Sequence, residues 1–275
     1  MNNVLPCEEL PLDLLAGGRR LWGKAILPPG QTLAGAAPVL VFLHEGLGSV
    51  SQWRDWPVAM AGATGLPALV YDRYGYGRSE PLQGSRSAFY LEAEARIALP
   101  EVLASCGIKV PILIGHSDGA TIALLFAAAF PEVSLGIVSE AAHVFIEAES
   151  VDGIRKTLEA FQTTPLRAQL AKHHPGKVEA MFHGWSDVWL APEHQDWNML
   201  AQLASITAPV LAIQGDDDDY GTQAQVQAIL DGVSGPAQAF RVPGCGHVPH
   251  FQAREPVMER ITDFLLTTVL RRQKI

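Results

Sequence analysis

Ser117 lies in Gly115-His116-Ser117-Asp118-Gly119, directly after the apolar run Val110 to Ile114 and before the apolar stretch Ala120 to Phe130, broken only by Thr121. A serine flanked by glycines at ±2 on a strand-to-helix turn is held in a strained backbone that lifts Oγ clear of the sheet edge. The helix amino terminus behind it favours developing negative charge. A hydroxyl is a weak nucleophile at neutral pH, so it needs a base and a group that orients the base. Both follow in the order serine, acid, histidine. Gln214-Gly215-Asp216-Asp217-Asp218-Asp219-Tyr220 supplies carboxylates, and His247 stands in the glycine-rich Pro243-Gly244-Cys245-Gly246-His247-Val248-Pro249-His250. An imidazole there can take the Oγ proton while a carboxylate fixes its tautomer. These residue types in this order predict covalent acyl transfer through Ser117.

Such loops need a frame that presents them on one edge. Pro38 to Leu43, Pro67 to Tyr71, Val110 to Ile114, Leu135 to Ser139 and Pro209 to Ile213 are continuous apolar runs, the pattern of strands buried on both faces. A shorter strand is expected at Ala239 to Val242. Helical stretches alternate with them: Ser51 to Ala63, Ala88 to Ser105, Ser117 to Phe130, Thr222 to Gly232 and Glu255 to Leu270. The last is followed by the basic Arg271-Arg272-Gln273-Lys274. This alternation predicts a doubly wound, mostly parallel α/β sheet. From His143 to Ile206 the alternation breaks into short helical patterns rich in aromatics. We expect a core of residues 1–142 and 207–275, with residues 143–206 inserted as a helical cap over the carboxyl edge of the sheet, where open α/β sheets bind ligands. Trp185, Trp189 and Phe145 are the expected contributors to a pocket beneath it.

Composition narrows the function classes. The chain has 275 residues, 48% of them hydrophobic and 18% charged, and a formal net charge of −9. That excludes intrinsic disorder and argues against a nucleic-acid partner. Cys7, Cys106 and Cys245 show no metal or disulfide spacing, and the amino-terminal residues lack an export pattern. The longest apolar stretch is too short to cross a bilayer. The expectation is a soluble cytoplasmic enzyme with no membrane partner and no metal, since His173, His174 and His183 lack ligand spacing. Oligomeric state is left open.

The chain resembles the α/β-hydrolase fold family. The likeness spans almost its whole length and rests on Leu43-His44-Glu45-Gly46-Leu47-Gly48-Ser49, Asp72-Arg73-Tyr74-Gly75-Tyr76-Gly77-Arg78-Ser79, Gly115 to Gly119 and Gly244 to His247. The resemblance implies Asp218 as the acid, three residues after Gly215, with Glu140 at the end of the preceding strand as the alternative. It implies that the oxyanion is received by the main-chain N–H groups of Gly46 and Asp118. Glu45 departs from the family pattern, which has glycine there, and is read as structural. His116 is expected to point away from Ser117, Trp53 and Trp56 to pack under the loop, and His250 to lie nearby or on the surface. The implied activity is a cofactor-independent serine hydrolase acting on small, ester-like molecules. C–C hydrolysis, thioester hydrolysis and acyl transfer on the same triad are alternatives, as is a ligand receptor with little turnover.

Overall fold

The computed structural model describes residues 5–271. Met1 to Val4 at the start, and Arg272-Gln273-Lys274 of the basic tail, lie outside the described residues. Among the described residues one sheet contains β1 (Glu8–Ala16), β2 (Arg19–Leu27), β3 (Gly35–Leu43), β4 (Ala68–Tyr71), β5 (Ile108–His116), β6 (Gly136–Glu140), β7 (Val210–Gly215) and β8 (Ala237–Val242). Their spatial order is β1-β2-β4-β3-β5-β6-β7-β8. β2 runs antiparallel to β1 and β4, and every other neighbouring pair is parallel. The expected doubly wound, mostly parallel sheet is therefore present, with an antiparallel hairpin at one edge. That hairpin has no continuous apolar run, because β1 is largely exposed. Its turn, Gly17-Gly18, has positive φ at both residues (60° and 68°), the geometry of a tight two-residue hairpin.

Side chains on the central strands alternate between two cores, as the two-residue period of a pleated strand requires. Val39, Val41 and Leu43 of β3 join Leu113 of β5 on one face, and Leu40 and Phe42 join Ile112 and Ile114 on the other. Helix α1 (Trp56–Thr64) covers the second face, with Trp56 and Met60 fully buried. The stretch expected as one helix from Ala88 to Ser105 is α2 (Tyr90–Ala93), a π-helical turn and α3 (Leu99–Ser105). They cover the first face together with α4 (Asp118–Ala129), whose residues are apolar all round and almost entirely buried.

Between β6 and β7 lie α5 (Ala148–Thr163), α6 (Leu166–His173), α7 (Val178–Leu190) and α8 (Leu200–Leu203). Phe161 of α5 stacks on Phe182 of α7 with ring centroids 3.8 Å apart. An isolated bridge between Phe145 and Asn198 ties the two ends of this insertion together. Glu147 anchors it to the far side of the sheet, accepting the Thr222 N–H and the Gln225 side-chain amide at the start of α9 (Gln223–Gly232). Helices α10 (Pro249–Gln252) and α11 (Arg254–Phe264) complete the chain, with Val257, Ile261 and Phe264 on the second core.

The link from β5 to α4 is the tightest in the fold. Ser117 has φ 53° and ψ −118°, a strained conformation for a residue with a Cβ. It is possible because a side chain is absent on both sides. A Cβ on Gly115 would lie 2.3 Å from the Gly119 carbonyl oxygen, and one on Gly119 would lie 1.9 Å from that of Leu43. Gly119→Ala therefore pushes α4 off β3, and we expect a loss of about 3 kcal/mol or more in urea unfolding. A variant as stable as the parent would show that this contact does not constrain the fold.

Candidate active site

The carboxyl ends of β3, β5, β6, β7 and β8 deliver the singled-out residues of the core to one edge of the sheet. Ser117 follows β5, and its N–H donates to the Glu140 carbonyl at 2.8 Å. Among the described residues its Oγ has no hydrogen-bond partner, and it opens on a cavity that His247 also lines. His247 Nδ1 donates to both carboxylate oxygens of Asp218, at 2.8 and 2.9 Å. The Asp218 side chain is fully buried. It also accepts the Tyr220 N–H at 2.8 Å and the Gln214 amide at 2.9 Å. Burial pushes the Asp218 carboxyl pKa up, but His247 and the Tyr220 N–H outweigh it, so it stays below the usual range. With Nδ1–H committed to Asp218, Nε2 of His247 carries the free lone pair. Asp216 pairs with Arg241, while Asp217 and Asp219 are exposed. Glu140 does not touch His247. It is buried and receives the Nδ1–H and main-chain N–H of His250 at 2.9 and 2.7 Å. His250 is therefore a buried partner rather than a surface group. Trp53 and Trp56 pack on its ring, with centroids 4.8 and 5.6 Å away.

Glu45 and His116 form a third pairing of a carboxylate with a histidine, beside Ser117. The Nε2–H of His116 donates to the His247 carbonyl at 2.7 Å, and His116 lines the same cavity as Ser117. Its Nδ1 lies 3.6 Å from Glu45 Oε2, an ionic contact rather than a hydrogen bond. Burial would lower the His116 pKa, but Glu45 and Glu140 reverse this and lift it to about 9. Burial likewise pushes Glu45 up, and His116 with His44 brings it down to about 2. Both groups are charged at neutral pH. The Glu45 carboxylate also packs over Gly48, where a Cβ would meet it at 2.2 Å.

The cavity has a volume of about 270 Å³. Its polar end holds Glu45, Gly46, Ser117, Asp118 and His247, and its apolar wall includes Leu47, Ile154, Leu166, Leu170, Trp185 and Trp189. Phe145, singled out from the sequence as a pocket residue, does not line it. Its backbone is engaged in the bridge to Asn198 and its side chain packs on the main core. Ile154 of α5 and Leu166 and Leu170 of α6 were not singled out, although Leu166 and Leu170 have the four-residue spacing of one helix face. His143 and Tyr220 were also missed. His143 Nε2 donates to the Tyr220 carbonyl at 2.9 Å, and the Tyr220 ring lies 4.5 Å from that of His247. Nothing in the spacing of these two forecasts their meeting, because they come from different crossovers. Among the described residues no three His, Cys, Asp or Glu side chains gather as a metal site. No helix among the described residues is long and apolar enough to cross a membrane.

This strand order, with a strained serine at the turn after β5 and a histidine facing the same cavity, defines an α/β hydrolase. The profile of the alpha/beta hydrolase family matches residues 40–260, and the chain belongs to that family. It is 26% identical over 273 residues to an uncharacterized Mycobacterium tuberculosis protein, covering 98% of this chain and 83% of that one. It is 25% identical over 203 residues to the serine hydrolase BPHL of Mus musculus, covering 72% and 68%. Among solved structures, a proline iminopeptidase of Mycobacterium smegmatis matches with a TM-score of 0.76 at 18% identity, covering 96% of this chain and all of that one. A naproxen esterase of Bacillus subtilis matches with a TM-score of 0.71 at 18% identity, covering 95% and 93%.

The charged state of His116 is directly measurable. Its pKa lies above the ~6.5 of an unfolded histidine. The pair therefore adds stability that is complete below pH ~6.5 and is lost as pH rises toward about 9. Imidazole NMR titration should find a histidine midpoint near 9 that Glu45→Gln moves down toward the ordinary value. A wild-type spectrum with every histidine midpoint at or below 6.5 would contradict this electrostatic reading.

Proposed function

We propose that this protein is a serine hydrolase that cleaves small carboxylic esters with an apolar acyl part through an acyl-enzyme. One observation carries the reading. His247 is bound through Nδ1 to the buried Asp218 carboxylate while its ring opens on the cavity that Ser117 enters from a strained turn. In this reading Ser117 Oγ attacks the ester carbonyl carbon and its proton passes to Nε2 of His247. Asp218 holds the tautomer and stabilises the imidazolium. The tetrahedral oxygen accepts hydrogen bonds from the N–H groups of Gly46 and Asp118. Collapse breaks the ester C–O bond, and the leaving alcohol takes the proton from His247. Water then adds to the acyl carbonyl with His247 again as base, releasing the acid and restoring Ser117. The open Oγ fits this scheme, since the nucleophile–base hydrogen bond is often long in an empty site and tightens on substrate.

The helices inserted at residues 143–206 serve here as a cap. Their apolar side chains form the wall opposite the polar end, which suits an acyl group without charge. Trp185 seals the oxyanion loop, for a Cβ on Gly46 would lie 2.2 Å from its indole nitrogen.

A fluorophosphonate probe should label the folded protein at Ser117, and Ser117→Ala should abolish both labelling and p-nitrophenyl ester turnover. Asp218→Asn should lower kcat by about 10⁴. Glu140→Gln, whose carboxylate serves His250, should keep most of its turnover and lose stability instead. Unlabelled Ser117 in folded protein would sink the hydrolase reading, and loss of turnover in Glu140→Gln alone would move the acid to Glu140.

A further inference from the structure

Arg73, just after β4, is fully buried and yet two of its three guanidinium nitrogens, Nε and Nη1, have no hydrogen-bond partner. Its third, Nη2, is crowded with acceptors. It donates to the His44 carbonyl at 3.2 Å and the Glu45 carbonyl at 2.9 Å, and lies 3.5 Å from Asp118 Oδ2. The Arg73 main-chain N–H adds a hydrogen bond to His44 Nε2 at 3.1 Å. The guanidinium rests over the Tyr76 ring, 4.6 Å from its centroid. Placing a permanent cation here is costly unless the groups that receive it must be held.

Those groups are the two segments that carry the proposed oxyanion donors. In a trans peptide the C=O and the next N–H point in opposite directions. Holding the Glu45 carbonyl on Arg73 therefore turns the Gly46 N–H the other way, and Gly46 lines the cavity. Asp118 is the first residue of α4, so its N–H belongs to the unpaired first turn. Its carboxylate is held at one oxygen, Oδ2, which lies 3.5 Å from Arg73 Nη2 and accepts the Tyr90 hydroxyl at 2.5 Å. Tyr90 in turn accepts the indole N–H of Trp189 at 2.9 Å, and Trp189 is part of the cavity wall.

We propose that Arg73 is a positioning residue for the oxyanion pocket, in which one guanidinium nitrogen joins the Glu45 carbonyl to the Asp118 carboxylate and so aims the Gly46 and Asp118 N–H groups. Tyr90 extends this clamp to Trp189, so the side chain that meets the acyl group is hydrogen-bonded to the group that orients an oxyanion donor. The inference rests on the hydrolase reading of the site. It makes Arg73 matter to the transition state and not to ground-state binding, because the clamp sets donors aimed at charge that develops only during reaction.

The test uses the full chain with p-nitrophenyl esters and an alkyl boronic acid, whose tetrahedral serine adduct places an oxygen in the oxyanion pocket. Arg73→Lys keeps a cation but loses the fork, and should lower kcat by between about 10- and 100-fold at nearly unchanged KM. Its affinity for the boronic acid should fall by a similar factor. Tyr90→Phe, which removes one hydroxyl, should move both quantities in the same direction by a smaller factor of about 3 to 10. A purely structural part would lower thermal stability and leave kcat and boronate affinity per folded site unchanged, which overturns the proposal. If Arg73→Lys does not fold, Tyr90→Phe decides alone, and wild-type kcat and boronate affinity in that variant overturn it. Wild-type protein with no fluorophosphonate adduct at Ser117 would instead remove the hydrolase reading beneath it.

Discussion

The contact between the first turn of α4 and the end of β3 is the constraint from which the site follows. Gly119 packs against the Leu43 carbonyl so closely that no Cβ fits. That approach brings Asp118, the residue after Ser117, beside the loop that continues β3 through His44, Glu45 and Gly46. It also leaves Ser117 in the left-handed region, with Oγ facing outward instead of into the turn. Two main-chain segments far apart in sequence are thereby held against each other by backbone, the least compliant part of the chain. Side chains then adjust the details.

Those details are largely ionic. Arg73 with Asp118, His116 with Glu45, and His250 with Glu140 all lie at or beneath the carboxyl edge of the sheet. Buried pairs of this kind stabilise little in net terms, since desolvation offsets most of the attraction, but losing one partner leaves an uncompensated charge. Each pair also bonds to the backbone of the site. Arg73 holds the Glu45 carbonyl, His116 holds the His247 carbonyl, and Glu140 accepts the His250 N–H. These side-chain pairs therefore act as fixtures for the loops at Glu45 and His247 and for the short helix α10. Glu45 belongs to this set, since its carboxylate balances the buried His116 imidazolium next to Ser117.

The inserted helices contribute differently. They reach the site through aromatic and aliphatic side chains, Trp185 and Trp189 from α7 and Leu166 and Leu170 from α6. The polar end of the cavity is built by the sheet and its loops, and most of the apolar wall by the insertion, with Leu47 added from the loop after β3. Substitutions in the two halves should therefore act on different properties, bond-breaking in one and the shape of the accepted molecule in the other.

Much of this was legible in the chain itself. Continuous apolar runs identified the parallel strands because a strand buried on both faces has no polar side, and glycines at 115 and 119 marked the turn because no other residue fits it. The β1–β2 hairpin escaped that reading, since a half-exposed edge strand lacks a continuous run. The sequence could name four neighbouring aspartates and a glutamate as acids, but periodicity has no means of ranking them. The family resemblance put Asp218 ahead of Glu140, and the folded arrangement places Asp218 on His247 and gives Glu140 to His250. It likewise excludes Phe145 from the cavity and admits His143, Tyr220 and Ile154, which no local pattern distinguishes. Residue order by itself determined the fold class and the strained turn at Ser117, because these depend on backbone sterics and burial over a few neighbouring residues. Tertiary structure decided the long-range partners, because a hydrogen bond between residues more than a hundred positions apart depends on where the sheet brings them together.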